Sequence, residues 1–249
     1  DLYDAEVAYQ DHLLGELLEL LDQPAIRDQS LIVITADHGE MLGEHQFMGH
    51  GFGCYRELIQ VPLIIHTPAM TAGARISTPV ITTRLFHTVL ASAGMDMVVS
   101  PTGTETSTGL LSLIDPVTGM PVEPGTDGMK VISEAYAPQD AVMMMEKREP
   151  ELIDPFLTRF THRAFYMRDV KLYDIEGNSP RLMNHKDAIL EQGQPEMTWQ
   201  AELMEKLMEE LHDFVEDSRA GHPQGWTTAT ADLSDPMIEQ RMRDLGYMI

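Results

Sequence analysis

The sequence has a single cysteine, Cys54, few basic residues, and no apolar run of membrane-spanning length. One cysteine excludes an intrachain disulfide, so cysteine usage does not identify the redox compartment. Forty acidic residues against 17 basic ones give a formal charge of −23, which argues against nucleic acid as a partner because phosphates need a basic surface. The N-terminus also lacks the basic flank and apolar core of a signal peptide. We therefore expect an acidic, solvated surface and no membrane span.

The apolar residues include two short runs, 31–34 and 61–65, that are rich in β-branched side chains and bounded by polar residues, Gly or Pro. Such runs are typical of strands buried on both faces, as in a parallel sheet covered by helices. Residues 2–21 place Leu and Val at helical spacing and predict an amphipathic helix. Helix, loop and strand are half of a βαβ crossover, which requires a further strand before residue 1. The predicted fold class is α/β, with a sheet sandwiched by helices.

The polar segment between the two runs holds the candidate site. Asp37 and His38 follow the first predicted strand, and in open α/β sheets ligands bind beyond the carboxyl ends of strands. Carboxylate and imidazole side by side suit a metal ion, although the pair alone is equally compatible with a hydrogen-bonded turn. His50 lies between two glycines on the same segment, where it has few packing partners.

Five pieces of this segment, in one order, resemble the second metal-binding segment of the sulfatases, which belong to the alkaline-phosphatase-like superfamily. They are Asp37-His38-Gly39-Glu40, Gly43-Glu44-His45, Gly49-His50-Gly51, Tyr55-Arg56-Glu57 and Val61-Pro62-Leu63-Ile64-Ile65. The resemblance implies that Asp37 and His38 bind a catalytic divalent metal ion and that His50 contacts the substrate or its leaving group. Calcium is the first choice for the ion and manganese the second, and His45 is a weaker candidate for the duty of His50.

The second half of the chain predicts a small α+β unit. Residues 130–136 predict a strand, residues 161–167 and 170–175 predict a hairpin, and residues 198–215 predict a helix with its apolar side chains on one face. Residues 146–151 predict a charged connector. The resemblance implies a small C-terminal antiparallel sheet with a packed helix. We therefore expect two domains, residues 1–125 as the C-terminal part of the sulfatase-like core and residues 126–249 as the C-terminal subdomain.

Other reactive or charged residues have a structural interpretation. Cys54 is not in the Cys-x-Pro/Ala-x-Arg pattern from which sulfatases make formylglycine, so it is predicted to be an inert, partly buried thiol. Glu40 and Glu44 are predicted to be turn or capping groups. Arg163 and Lys171 are predicted to be surface charges on strands.

Three functions follow from the resemblance. The first is a metal-dependent sulfatase acting on a sulfated small molecule or glycan, whose nucleophile lies upstream of Asp1; a periplasmic or secreted location would fit the family. The second is a phosphodiester or phosphonate monoester hydrolase of the same superfamily, because the same groups serve phosphorus esters. The third is a catalytically incomplete sulfatase-derived fragment or binding module. The sequence leaves the oligomeric state open.

Overall fold

The computed structural model describes residues 2–68, 70, 73, 75–77, 79–95, 110, 131–148, 150–153, 157–167, 170–184, 186–190 and 198–220. The helices in these ranges are α1 (Leu2–Leu21), α2 (Pro24–Arg27), α3 (Arg56–Ile59), α4 (Arg84–Ser92), α5 (Gln139–Arg148) and α6 (Thr198–Ala220). The strands are β1 (Ile32–Thr35), β2 (Met41–Leu42), β3 (Met48–Gly49), β4 (Leu63–His66), β5 (Val131–Ala135), β6 (His162–Met167), β7 (Val170–Ile175) and β8 (Arg181–Asn184).

Both apolar runs of the first half form strands as predicted, but their pairing differs from the expectation. β1 and β4 are antiparallel, with Ile32 opposite His66 and Thr35 opposite Leu63. Their side chains are mostly half-buried, not enclosed on both faces. The parallel interpretation was wrong because a continuous apolar run indicates burial but carries no information about strand direction.

The first predicted helix is confirmed as α1, Leu2–Leu21. None of its side chains is buried against another described residue, and apolar side chains such as Val7 and Leu17 are exposed. The amphipathic pattern therefore predicts the helix correctly, and within its apolar stripe only Leu14, Leu18 and Leu21 are half-buried. No helix among the described residues combines the length and the apolar character that crossing a bilayer demands.

The second half contains a four-stranded antiparallel sheet of order β5-β6-β7-β8. The predicted strand and hairpin are confirmed, with His162 opposite Ile175 and Met167 opposite Val170. β8 was not predicted. The prediction of a connector at residues 146–151 was wrong for the described residues, because residues 146–148 are the end of α5 and Pro150–Leu152 is a 3₁₀ turn. Glu146, near the end of α5, forms an ion pair with Arg159 at 2.9 Å. A charged sequence can therefore belong to a helix end as readily as to a connector.

Alternation along β6 and β7 gives this sheet two different faces. Phe165 and Leu172, which are opposite each other, contribute to a core with Leu207 and Leu211 of α6. Thus the predicted helix packs on one face of the sheet. Residues of the other face form a second core with residues of the first half; this core contains Cys54, Ala164, Tyr173, Ile175 and Met183. The sheet therefore lies directly beneath the segment that carries the candidate site.

One earlier prediction falls where the structure gives no description. The domain boundary at residue 125 lies outside the described residues. The division into residues 1–125 and 126–249 stays a prediction.

Candidate metal and leaving-group site

Gly39 anchors the segment that carries the predicted ligands. Its N–H donates to the carbonyl of Leu58 over 2.7 Å. A Cβ at Gly39 would lie 1.9 Å from the carbonyl oxygen of Glu57, a distance that no side chain tolerates. Only glycine at position 39 therefore allows the backbone between Asp37 and Glu40 to lie this close to α3.

Asp37 offers one carboxylate oxygen to solvent. The backbone N–H of His38 donates to Asp37 Oδ1 over 3.0 Å, and this hydrogen bond keeps the pKa of Asp37 below its usual value, with the nearby imidazoles of His38 and His50 adding to the effect. The side chain is 78% exposed. Asp37 is thus ionised at neutral pH, and Oδ2 remains available to a cation.

His38 is held in the tautomer that a metal ligand needs. Its Nδ1 lies 2.9 Å from the carbonyl oxygen of Gly39, which can only accept, so Nδ1 carries the proton. The Nε2 lone pair is then available and lies 3.8 Å from Asp37 Oδ2. Metal-binding histidines commonly donate their second ring N–H to a carbonyl in this way. Two atoms that bind one divalent ion at about 2.0–2.4 Å lie about 3–4 Å apart, so the pair fits a shared ion.

A two-stranded hairpin brings His50 to this pair. β2 and β3 are antiparallel, with Met41 opposite Gly49 and Leu42 opposite Met48. The turn between them is closed by Glu44, whose Oε2 accepts from the Leu42 N–H over 2.7 Å, so the turn role predicted for Glu44 is confirmed. His50 follows β3 and its ring stacks on that of His38, with centroids 4.2 Å apart and planes at 28°.

Glu40 does more than the predicted turn or capping role. Its Oε2 accepts from His50 Nδ1 over 2.9 Å. Possible ligand atoms of His38, Glu40 and His50 all lie within 4.8 Å of one another. Sequence reasoning missed this contact, although the short Gly-containing turn between Met41 and Gly49 was a signal that residues 40 and 50 would be neighbours.

His45, the weaker candidate, belongs to a different group. Its ring stacks on Tyr55, and its Nε2 lies 3.3 Å from Glu57 Oε2. A carboxylate oxygen of Asp187 lies within 4.8 Å of both ligand atoms. His45 is therefore turned towards α3 and the second half of the chain, whereas His50 is turned towards His38.

Lys171 is fully buried, so its prediction as a surface charge was wrong. Its Nζ donates to Asp187 Oδ1 and to the Cys54 carbonyl, both over 2.7 Å. Asp187 Oδ2 accepts from the Arg56 N–H over 2.6 Å. The alternating strand pattern placed Lys171 on the correct strand but could not show that this face is covered by residues 54–56. Arg163 is largely buried too, and it pairs with Glu134 at 2.8 Å.

Cys54 is buried more completely than the partly buried thiol that the sequence predicted. The residue is fully buried, and burial raises the pKa of the thiol to about 12. Its Sγ lies 3.4 Å from the carbonyl of His162, and its backbone N–H donates to the Tyr173 hydroxyl over 3.3 Å. Cys54 thus joins the site segment to the sheet beneath it.

The comparisons of sequence point to one family. Residues 1–95 match the family model described as Sulfatase. Over 95 residues the chain is 34% identical to arylsulfatase K of Xenopus laevis and 32% identical to the uncharacterized sulfatase YidJ of Escherichia coli (strain K12). Each match covers 38% of this chain but only 18% and 19% of the relative, respectively. The chain thus spans about a fifth of the length of these curated relatives.

Solved structures share the fold of this chain over more of its length. A phosphonate monoester hydrolase from Silicibacter pomeroyi aligns with a TM-score of 0.59 at 19% identity, covering 82% of this chain and 38% of that one. A 2-O GAG sulfatase aligns with a TM-score of 0.55 at 19% identity, covering 80% and 39%. The predicted α/β fold class and the resemblance to the sulfatases are confirmed.

Proposed function

We propose that this protein is a metal-dependent hydrolase of sulfate esters, because residues 1–95 match the family model described as Sulfatase. The observation that carries the proposal is the position of the Asp37 Oδ2 and His38 Nε2 pair, 3.8 Å apart, next to the His50 ring. A cation between Asp37 and His38 and a proton donor at His50 are the two aids that an ester of sulfuric acid needs to lose its alcohol.

Asp37 and His38 are the residues that would hold the ion, with calcium as the first choice and manganese the second. When bound, a divalent ion supplies Lewis-acid stabilisation of negative charge at the sulfuryl group and its nucleophile. Asp37 contributes a carboxylate that is ionised at neutral pH, and His38 contributes a nitrogen whose tautomer is fixed by Gly39. One oxygen and one nitrogen leave the remaining coordination positions to other oxygen or nitrogen ligands.

His50 delivers a proton to the leaving group. Hydrolysis adds water across the S–O bond, so the oxygen that leaves sulfur gains a proton and sulfur gains a hydroxyl oxygen. Protonated His50 supplies the proton to the leaving oxygen as the S–O bond breaks. Water provides the hydroxyl oxygen to sulfur, and its remaining proton restores the imidazolium. Half of the His50 side chain is exposed, so the ring is accessible to a substrate. The substrate class that this chemistry fits is a sulfated small molecule or glycan.

The second candidate is a phosphonate monoester or phosphodiester hydrolase. It is favoured by the structural likeness to the Silicibacter pomeroyi phosphonate monoester hydrolase. Its chemistry differs little, because a cation and a proton donor assist departure from tetrahedral phosphorus as they do from sulfur.

The experiment uses the full-length gene product and measures metal content and hydrolysis of an aryl sulfate and an aryl phosphonate ester. Asp37→Ala is expected to lose bound metal and sulfate turnover together. His50→Ala is expected to keep the metal and lose about 100-fold or more in rate, the usual contribution of a general acid. Asp28→Ala is the control, because Asp28 is an exposed carboxylate that pairs with Arg27 outside the site.

Three results would change the assignment. Turnover of the phosphonate ester alone transfers the protein to the second candidate. Metal binding without cleavage of either ester supports the third alternative, a binding module derived from a sulfatase. Full metal content in Asp37→Ala contradicts the ligand role of Asp37.

A further inference from the structure

The hairpin register places Glu40 and His50 opposite each other. Met41 pairs with Gly49 and Leu42 with Met48, so continuing the same antiparallel ladder by one residue brings position 40 opposite position 50. Directly opposite residues of antiparallel strands have Cβ atoms about 4.5–5.5 Å apart, which is within reach of a Glu–His hydrogen bond. The contact between Glu40 Oε2 and His50 Nδ1, at 2.9 Å, is therefore dictated by the hairpin and is not a chance meeting of two mobile side chains.

This contact determines which ring nitrogen of His50 can donate a proton to a substrate. A carboxylate only accepts hydrogen bonds, so His50 Nδ1 must carry a proton when it bonds to Glu40. The second ring nitrogen, Nε2, is then the one that can carry a transferable proton.

A second contact restricts the ring plane. The His50 ring stacks on His38 at 4.2 Å between centroids. His38 is itself fixed through Nδ1 to the carbonyl of Gly39. His50 is thus held at one edge by Glu40 and on one face by His38, which leaves the Nε2 edge to meet a substrate.

We propose that Glu40 is a positioning residue for leaving-group protonation: it orients His50 and fixes its tautomer so that Nε2 gives its proton to the departing oxygen. The proposal rests on the proposed ester hydrolysis and adds to it a residue whose effect passes entirely through His50. In the step itself, sulfur gains a bond to the attacking nucleophile as its bond to the leaving oxygen breaks. The leaving oxygen keeps the bonding electrons and takes the proton from Nε2, while Nδ1–H stays hydrogen-bonded to the Glu40 carboxylate.

The first test compares leaving groups. Glu40→Gln is assayed in the full-length protein with two substrates. Phenyl sulfate releases phenolate, a poor leaving group, and 4-nitrophenyl sulfate releases 4-nitrophenolate, a good one. Loss of a partner that orients a functional histidine typically costs about 10–100-fold. We expect a loss of this size in kcat/KM for phenyl sulfate and a loss of less than about 3-fold for 4-nitrophenyl sulfate, whose departure needs little protonation.

The matched control is Glu44→Gln, which changes a carboxylate of the same hairpin that bonds to the Leu42 N–H. The variant amide retains an oxygen that accepts this bond, so both substrates should be cleaved at the wild-type rate. If Glu44→Gln shows the same leaving-group selectivity as Glu40→Gln, the effect belongs to the hairpin and the proposal is overturned.

The double variant Glu40→Gln/His50→Ala identifies the route of the effect. If Glu40 acts only through His50, the double variant loses no more activity than His50→Ala alone. Additive losses contradict the positioning role. Loss of bound metal in Glu40→Gln also contradicts it, because Glu40 would then be a ligand alongside His38 and His50.

A measurement without substrate separates this proposal from the proposed function. In ¹⁵N-labelled protein, the nitrogen shifts of His50 should show a protonated Nδ1 in the wild type and in Glu44→Gln, and a changed proton distribution in Glu40→Gln. The proposal fails if Glu40→Gln leaves these shifts unchanged, whether or not an ester is cleaved. If the shifts change but no sulfate or phosphonate ester is hydrolysed, the Glu40–His50 geometry stands and the assignment of its reaction is wrong.

Discussion

Lys171 Nζ lies 2.7 Å from Asp187 Oδ1, and both side chains are buried, with 0% and 1% of their surfaces exposed. Each partner has a further hydrogen bond to the site segment: Lys171 donates to the Cys54 carbonyl, and Asp187 accepts from the Arg56 N–H. The pair therefore fastens the candidate site to the sheet beneath it.

Removing one member of this pair should destabilise the protein strongly. Lys171→Met leaves Asp187 buried without its cation, and a broken buried pair costs about 3–5 kcal/mol. The free energy of unfolding is measured in urea. The double variant Lys171→Met/Asp187→Asn should recover part of the loss, because no uncompensated charge remains. If the loss of unfolding free energy in the double variant equals the sum of the losses in Lys171→Met and Asp187→Asn, the two residues act independently.

Gly39→Ala should damage the site through the backbone. The new Cβ would meet the Glu57 carbonyl oxygen at 1.9 Å, so the chain carrying His38 and Glu40 must move. We expect lower metal affinity, measured by calorimetric titration, and lower activity. Gly15→Ala is the control: a Cβ there meets no atom within 4 Å, and alanine should stabilise α1 by about 0.5–1 kcal/mol. Metal affinity unchanged in Gly39→Ala would contradict the anchoring role of Gly39.

Cys54 should react slowly in the folded protein. Burial raises the pKa of its thiol to about 12, so little thiolate forms at pH 8, and the side chain is inaccessible. Alkylation by iodoacetamide, followed by mass spectrometry, should be slow in buffer and fast in 6 M guanidinium chloride. Equal rates in the two conditions would show that Cys54 is not in the core.

His162 should make stability depend on pH. Burial lowers the pKa of His162 below 6.5, so between its folded pKa and 6.5 the unfolded chain binds a proton that the folded protein does not. Stability contributed by the neutral ring is therefore complete above pH 6.5 and is lost as the pH falls below it. Between pH 7.5 and 5.5 the wild type should lose more stability than His162→Gln, which cannot titrate. Identical pH profiles in urea unfolding would contradict this.

The sequence predicted the elements better than their long-range contacts. β-branched runs located β1 and β4, and period-2 alternation located the β6–β7 hairpin, because these signals are local. The antiparallel direction of β1 and β4 was missed, since direction depends on how the intervening chain turns. β8 was missed because Arg181–Asn184 is too short for a clear pattern.

The same distinction applies to the site. Asp37 and His38 are adjacent in sequence, and His50 returns to them through a short hairpin, so their proximity follows from local structure. The burial of Lys171, in contrast, does not follow from local structure. Its buried environment is created by Cys54, 117 residues away, and by Asp187, on a loop with no periodic signal. An alternating strand with one lysine predicts a surface charge unless such partners are known.

The separation of 117 residues between Lys171 and Cys54 has a consequence for synthesis on the ribosome. The β2–β3 hairpin closes over a few residues and can form as soon as it leaves the exit tunnel, on a microsecond timescale. The Cys54 carbonyl, by contrast, has no Lys171 to bond to until that residue emerges, which takes roughly 6–23 seconds at about 5–20 residues per second. During that interval Cys54, Tyr55 and Ile59 lack the sheet that later covers them. The nascent chain therefore presents an apolar surface to chaperones before the sheet that supports the site segment has formed.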